Sequence, residues 1–508
     1  MSALQSNQVR HSAIWIYASE IVKTLSQFVV GVILARLLGP VDFGIFVAVT
    51  AFTSMLLLTV QFGMPQALLQ AKLLDDAQVN GAFWFIVLTS VIFVGVVSVI
   101  TPPLSTLYDS ASFSTVMYLM SGLFLLTPFT AVGLALLRRE MRFDRAAKIG
   151  MVSLGVSGAS SIVAASLGAG VYSLVLGAYV GMAVNAAMLA RSLTWRPSAP
   201  RLAPVRPLLA YSGFATLNIM LSSATSRVDN MIVGSVLGTG SLGLYNRAYS
   251  LARIPSDQFA QSLGPLVLGS LARIQEDIER SRELYFKAVS AISAVSMPFL
   301  VVLGVAGPLA VEFLYGQDWL GAGQPLRAMV VGAVFLVLSV TLRGFINAQG
   351  LVRQLVPING AVFVLTIGLV LLLAPAGLTA IAAGISFREA LLFFLMARLL
   401  SRSAIKLRPA EIVYAVVPIL VACAVSMFTG FAVLEYSRGS LAENSLLRLF
   451  LVGSSIFICY TSVLLALMLT WTSHAPLATT RELLTEVLAK VLTRLRLRLR
   501  ATLGFVTK

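Results

Sequence analysis

LARLLGPVDFGIF, residues 34–46, and VGSVLGTGSLGLY, residues 233–245, are two copies of one pattern. Leu38, Gly39 and Gly44 match Leu237, Gly238 and Gly243 at an offset of 199, and Pro65 matches Pro265 at an offset of 200. Each copy joins two long apolar stretches through a glycine turn. A repeat with an even number of membrane crossings between its copies sets both halves in the same direction. Such a chain is expected to form two lobes related by an axis along the membrane normal, with the substrate path between them.

Composition puts those stretches in a membrane. The chain has 508 residues, 58% of them hydrophobic and only 11% charged. A soluble domain carries about 25% charged residues, so charge this sparse cannot solvate a globular surface of this size. The net charge of +16 would suggest nucleic acid in a soluble protein. Here it reads as loops held on the cytoplasmic side, with no nucleic-acid partner. Cys423 and Cys459 lie in apolar runs, and His11 and His474 lie near the chain ends. That leaves no disulfide framework, no metal site and no histidine-based catalysis to expect. The first apolar stretch contains Glu20 and Lys23 and has no small-residue cleavage pattern, unlike a cleaved signal.

A membrane helix needs roughly 20 mostly apolar residues. Candidate spans fall near 13–38, 43–63, 79–101, 113–137, 149–167, 171–190, 208–237, 242–269, 284–306, 326–348, 355–374, 378–397, 411–433 and 446–471, about fourteen in all. The seventh and eighth are long and rich in polar residues. With a cytoplasmic N-terminus, RREMRFDRAAK (138–148), RSLTWRPSAPRLAPVRP (191–207), ARIQEDIERSREL (272–284) and ARLLSRSAIKLRP (397–409) all lie inside. Only Arg36, Arg438 and Arg448 fall outside, and the longest outside loop, 307–325, has no Lys or Arg. This bias favours an even number of spans and two cytoplasmic termini.

The expected fold is therefore an all-α polytopic membrane protein. Residues 1–193 form a six-helix lobe, 194–207 a cytoplasmic linker and 208–400 a second six-helix lobe. Residues 401–475 add two further spans, and 476–508 form a basic tail. In that tail Leu483, Leu484, Val487, Leu488, Val491, Leu492 and Leu495 recur at helical spacing before LTRLRLRLR, 492–500. A basic amphipathic helix on an anionic leaflet is the expectation.

Charges inside the spans cost about 2.5–3.5 kcal/mol each on insertion scales, so their placement carries information. They concentrate where the repeat falls. The first span has Glu20 and Lys23, and places Tyr17, Glu20, Thr24 and Gln27 on one face. The second adds Thr50, Ser54 and Gln61. The seventh carries Arg227, Asp229 and Asn230, and the eighth Asn246, Arg247, Arg253 and Asp257. Arg388 and Glu389 are adjacent in the twelfth. Arg227 lies about 15 Å along its helix from Leu237, too deep to reach the outer surface easily. Guanidinium groups at that depth suit an anion, because arginine forks onto phosphate oxygens. Arg227 and Asp229 point about 200° apart on an ideal helix, so they do not simply neutralise each other. Buried pairs that only fix packing are the competing reading.

Together with QFGMPQALLQ (61–70) and RVDNMIVGSVLGTGSLGLYNRAYSLARIP (227–255), the opening motif resembles bacterial polysaccharide flippases of the Wzx type, within the multidrug/oligosaccharidyl-lipid/polysaccharide exporter superfamily. The resemblance covers nearly the whole chain. It implies movement of an undecaprenyl-diphosphate-linked oligosaccharide from the inner to the outer leaflet of the cytoplasmic membrane, for exopolysaccharide, capsule or O-antigen. It also implies a cavity lined by spans one, two, seven and eight, with membrane lipids, a polymerase and a chain-length regulator as partners. Position and chemistry then suggest Lys23, Arg227, Arg247 and Arg253 for the anionic headgroup. Gln27, Gln61, Asn230 and Asn246 suit sugar hydroxyls. Glu20, Asp229 and Asp257 suit charge balance or coupling to protons or sodium. No cofactor is expected.

Two other classes compete. An integral-membrane glycosyltransferase or polymerase needs reactive groups on a sizeable outside loop, and 307–325 offers only Glu312 and Asp318. A drug or ion exporter of related fold is disfavoured by the basic cavity. A major-facilitator transporter would carry a Gly-Asp-Arg-type motif after span two, which MPQALLQAKLLDD (64–76) lacks.

Overall fold

The computed structural model describes residues 22–71, 73–108, 110–202, 205, 223–224, 227–273, 277–403, 407–440 and 445–470. Their regular secondary structure is all helical, with no strand among the described residues. In chain order the helices are α1 (22–37), α2 (Pro40–Gln61), α3 (Met64–Gln70), α4 (Asp76–Tyr108), α5 (Ala111–Gly122), α6 (Thr127–Arg139), α7 (Phe143–Ser166) and α8 (Tyr172–Ser192). Then come α9 (Val228–Arg273), α10 (Ile278–Tyr315), α11 (Gly323–Ala348), α12 (Val352–Leu373), α13 (Leu378–Ser401), α14 (Pro409–Ser440) and α15 (Ser445–Thr470).

Eleven spans among the described residues are long and apolar enough to cross a membrane, making this a multi-pass integral membrane protein. They coincide with the second to sixth and ninth to fourteenth expected spans. The first expected span is described only from Val22, and most of the seventh lies outside the described residues. The eighth is the part of α9 that follows a break at Gly238. Glu20 and the basic tail also lie outside the described residues.

The chain divides into two compact units. The first comprises residues 1–249, 311–325 and 359–384; the second comprises 250–310, 326–358 and 385–508.

In the first unit, α7 and α8 pack through small residues. Gly177 and Gly181 lie on Ser161 and Ser157, so the backbones approach closely, as spans do where lipid offers no hydrophobic drive. Leu137, Ile149, Leu189 and Leu193 bury a cluster at the other ends of these helices. The segment after α8, expected as an inter-lobe linker, is pinned down. Asn80 of α4 donates to the Ala199 carbonyl at 2.8 Å and accepts from the Ser198 N–H at 2.9 Å. The Trp84 indole donates to the Ser198 carbonyl at 2.7 Å.

In the second unit the last two spans dock on α10. Leu434, Val452 and Ile456 pack with Val305, Ala306 and Leu309, and the Tyr460 hydroxyl donates to the Ala294 carbonyl at 2.9 Å. The helix leaves ideal geometry at Ala306, just before Pro308, whose ring cannot continue the hydrogen-bond ladder. Arg327 donates to the Val305 carbonyl there at 2.6 Å.

One expectation changes. Residues 307–325, read as a loop, are mostly helical: α10 runs on to Tyr315, and a 3-10 turn over Gln317–Ala322 leads into α11. The physical reason is tertiary. Val311, Tyr315 and Trp319 are buried, so GPLAVEFLY has an apolar surface to cover, which a solvated loop would not.

Candidate functional site: the glycine crossing and the cationic pocket beneath it

The two sequence copies meet each other. Gly44 of α2 sits against the Thr239 carbonyl, and Gly243 of α9 sits against the Pro40 carbonyl. The offset of 199 that relates the motifs also relates Pro40 to Thr239 and Gly44 to Gly243. The contact is therefore reciprocal, as across a two-fold axis: each glycine meets its partner copy's helix start. A Cβ on either glycine would overlap backbone atoms. Both copies also break at matched positions. Gly39 precedes α2 with an extended backbone, while Gly238 interrupts α9 with φ +83°, a conformation that favours glycine.

The segment 311–325 packs on this crossing. Trp319 is 1% exposed, meets Phe43 edge-on with centroids 5.9 Å apart, and donates its indole N–H to the Ala35 carbonyl at 2.8 Å. Arg36 donates to the carbonyls of Phe313 and Leu314, the latter at 2.9 Å. A guanidinium at a helix C-terminus satisfies carbonyls that have no partner within the helix.

Arg247 lies just past the crossing, about 6 Å along its helix from Gly243. Its guanidinium stacks on the Phe43 ring at 3.7 Å from the centroid and stands 5.5 Å from that of Tyr315. Gly31 of α1 provides room for it: a Cβ there would come within 3.3 Å of Nη1. The Nε of Arg247 is buried without a hydrogen-bond partner, and no carboxylate among the described residues pairs with this arginine. Aromatic faces stabilise such a cation by about 0.5–2 kcal/mol, less than a hydrogen-bonded anion would. The guanidinium also hydrogen-bonds the Tyr315 hydroxyl, so a positive charge with one unpartnered donor, Nε, is enclosed by three elements.

Asp229 is solved differently. It is 1% exposed and accepts from the Tyr245 hydroxyl and the Asn230 N–H, each at 2.9 Å. Arg227 stands partly exposed in the turn just before α9, within electrostatic reach of Asp229. The Tyr108 hydroxyl donates to the Met231 carbonyl at 2.8 Å, and Gly234 faces the Tyr108 ring, which fixes this turn of α9 on α4. Asn230 is 8% exposed, and its Oδ1 has no hydrogen-bond partner.

The other candidates are more dispersed. Gln27 is exposed on α1, Lys23 and Asn246 are half-buried, and Gln61 closes α2 about 25 Å along its helix from Gly44. Gln61 and Arg247 therefore do not come to one depth. Arg253 and Asp257 belong to the second unit and pair with each other at 3.2 Å, both partly exposed. Sequence reasoning missed the aromatic partners Phe43, Tyr245, Tyr315 and Trp319. Two of them stood in the repeated motif itself, where Phe43 and Tyr245 flank the matched glycines.

A family model described as polysaccharide biosynthesis protein matches residues 33–324. The chain belongs to that family. The matched region of this polysaccharide biosynthesis protein holds both glycine copies, Asp229, Arg247 and the Trp319 segment. The chain is 24% identical over 333 residues to a Klebsiella pneumoniae "uncharacterized membrane protein in cps region", covering 64% of this chain and 68% of that protein. It is 23% identical over 298 residues to the lipopolysaccharide biosynthesis protein WzxC of Escherichia coli (strain K12), covering 56% and 59%. Its fold is similar to that of the lipid II flippase MurJ in an inward closed conformation. The TM-score is 0.69 at 15% identity, over 87% of this chain and 98% of that one.

Proposed function

We propose that this chain translocates an undecaprenyl-diphosphate-linked oligosaccharide across the bacterial cytoplasmic membrane, for assembly of an exopolysaccharide, capsule or O-antigen. It does no bond chemistry. It works by alternating access of two lobes, 1–193 and 208–400, with both termini cytoplasmic. A polymerase and a chain-length regulator act on the delivered unit.

The observation that carries this reading is Arg247. A guanidinium enclosed in a membrane-spanning region, stacked on Phe43 and lacking a carboxylate, suits an anion whose charge is spread over several oxygens. A diphosphate is such an anion. Lys23, Arg227 and Arg253 supply further positive charge toward the headgroup. Gln27, Gln61, Asn230 and Asn246 supply hydrogen bonds for the glycan, and Glu20, Asp229 and Asp257 balance the charge. Family membership supplies the polysaccharide-biosynthesis context.

The test is complementation in a strain deleted for the gene. The wild-type chain should restore polymer export, and the deletion should accumulate a lipid-linked oligosaccharide at the inner leaflet. Arg247→Ala should insert normally but fail to export. Normal export by that variant would overturn the assignment, and accumulation of no lipid-linked sugar would overturn the function.

A further inference from the structure

Residues 311–325 form an arm whose membership differs from that of its neighbours. The chain on either side of it, 250–310 and 326–358, belongs to the second unit, yet the arm itself belongs to the first. It begins just after the helix break at Ala306 and Pro308, and it ends where the 3-10 turn gives way to α11. Tyr315, Trp319 and Ala322 of the arm are 3%, 1% and 0% exposed.

Four side chains close a ring there. The Arg247 guanidinium lies on the Phe43 ring, 3.7 Å from its centroid. Phe43 meets Trp319 at 5.9 Å, and Trp319 meets Tyr315 at 5.8 Å. The Tyr315 hydroxyl completes the circuit by accepting a hydrogen bond from Arg247. Because Nε has no partner, that bond comes from one of the two Nη groups. The same arm grips the glycine crossing. Trp319 donates to the Ala35 carbonyl, Arg36 donates to the carbonyls of Phe313 and Leu314, and Gly321 lies on Leu244, next to Gly243. One residue of the arm thus holds the cation, and another, a single helical turn on, holds the crossing.

This ring links the two. A phosphate oxygen accepts a guanidinium hydrogen more strongly than a neutral phenol does, because both partners are then charged. A bidentate anion takes two of the N–H groups and competes with Tyr315 for them. Tyr315 is then left with a buried hydroxyl without its partner, which is costly, and the arm is held less firmly. We propose that Tyr315 ties occupancy of Arg247 to closure of the crossing. With no anion it holds the guanidinium and keeps the arm seated; anion binding unseats the arm. Tyr315 is a positioning residue that acts through Arg247. The trigger rests on the diphosphate reading of Arg247; the arm's hold on the crossing does not.

The full-length chain in lipid nanodiscs tests it, with a thiol placed in the arm by Ala322→Cys and labelled with a membrane-impermeant maleimide. The chain without that substitution gives the background from Cys423 and Cys459. Added undecaprenyl diphosphate should speed labelling by roughly 2- to 10-fold, the range for loss of one hydrogen bond. Tyr315→Phe keeps the ring on Trp319 and loses the hydroxyl. It should label at the faster rate already and no longer respond to the lipid. Hydrogen exchange of 311–325 in the unsubstituted chain, with and without the lipid, gives the same reading where a variant does not fold. A Tyr315→Phe chain that labels like its parent would overturn the proposal. So would a lipid that binds and leaves both labelling and exchange unchanged. Failure of the wild-type chain to bind the lipid would instead indict the diphosphate reading, and the basal labelling rate of Tyr315→Phe would still decide the arm.

Discussion

Gly44 lies against the carbonyl of Thr239, at the position that Gly243 occupies against Pro40. Two helices from opposite ends of a 199-residue offset are thereby locked backbone to backbone. Nothing larger than hydrogen fits at either glycine. Gly44→Ala and Gly243→Ala should each destabilise by about 2 kcal/mol through overpacking, read as a lower midpoint in thermal unfolding. Gly39→Ala, whose added methyl meets open space at an ordinary backbone angle, should leave the midpoint unchanged. Gly238→Ala should cost about 1–2 kcal/mol for its left-handed backbone alone.

Tyr245 should matter through its hydroxyl. It donates to a carboxylate that is almost wholly buried. Tyr245→Phe should cost about 1–3 kcal/mol. In Asp229→Asn the same tyrosine change should cost less, and a double-mutant cycle on unfolding midpoints measures the difference.

Arg247→Lys keeps the charge and loses the planar stack on Phe43 and the forked donors. Export should fall well below wild type with expression unchanged. Phe43→Leu should weaken export less, since the cation remains. Polymer yield in the complemented deletion strain reads both.

Asn80→Ala removes the two hydrogen bonds that pin residues 198–199 to α4. The cost is about 1–2 kcal/mol, but the clearer signature is local. Limited proteolysis should cut between Arg196 and Arg201 faster than in wild type, with the helices intact.

Much of this was legible in the sequence. Apolar length located eleven of the spans, since a membrane demands continuous hydrophobicity and punishes its interruption. The matched glycines marked two turns, and their offset carried the symmetry of the crossing. Partners were not legible. Tyr245 reaches Asp229 across one helix break, Trp319 reaches Ala35 from 284 residues away, and no spacing rule encodes either. Residues 307–325 read as a loop because glycine, proline and charge cluster there, yet burial of Val311, Tyr315 and Trp319 keeps them helical.

A contact with two-fold character has one freedom that a dimer of identical chains lacks. In such a dimer, any substitution at the axis appears twice. Here Pro40 and Thr239 occupy equivalent places and differ. Proline fixes its backbone and offers no N–H; threonine keeps its donor and a wider choice of angle. One side of the crossing is stiff and the other is compliant. Tuning how readily this end of the protein parts thus needs a change in only one copy, while the glycines hold the geometry common to both.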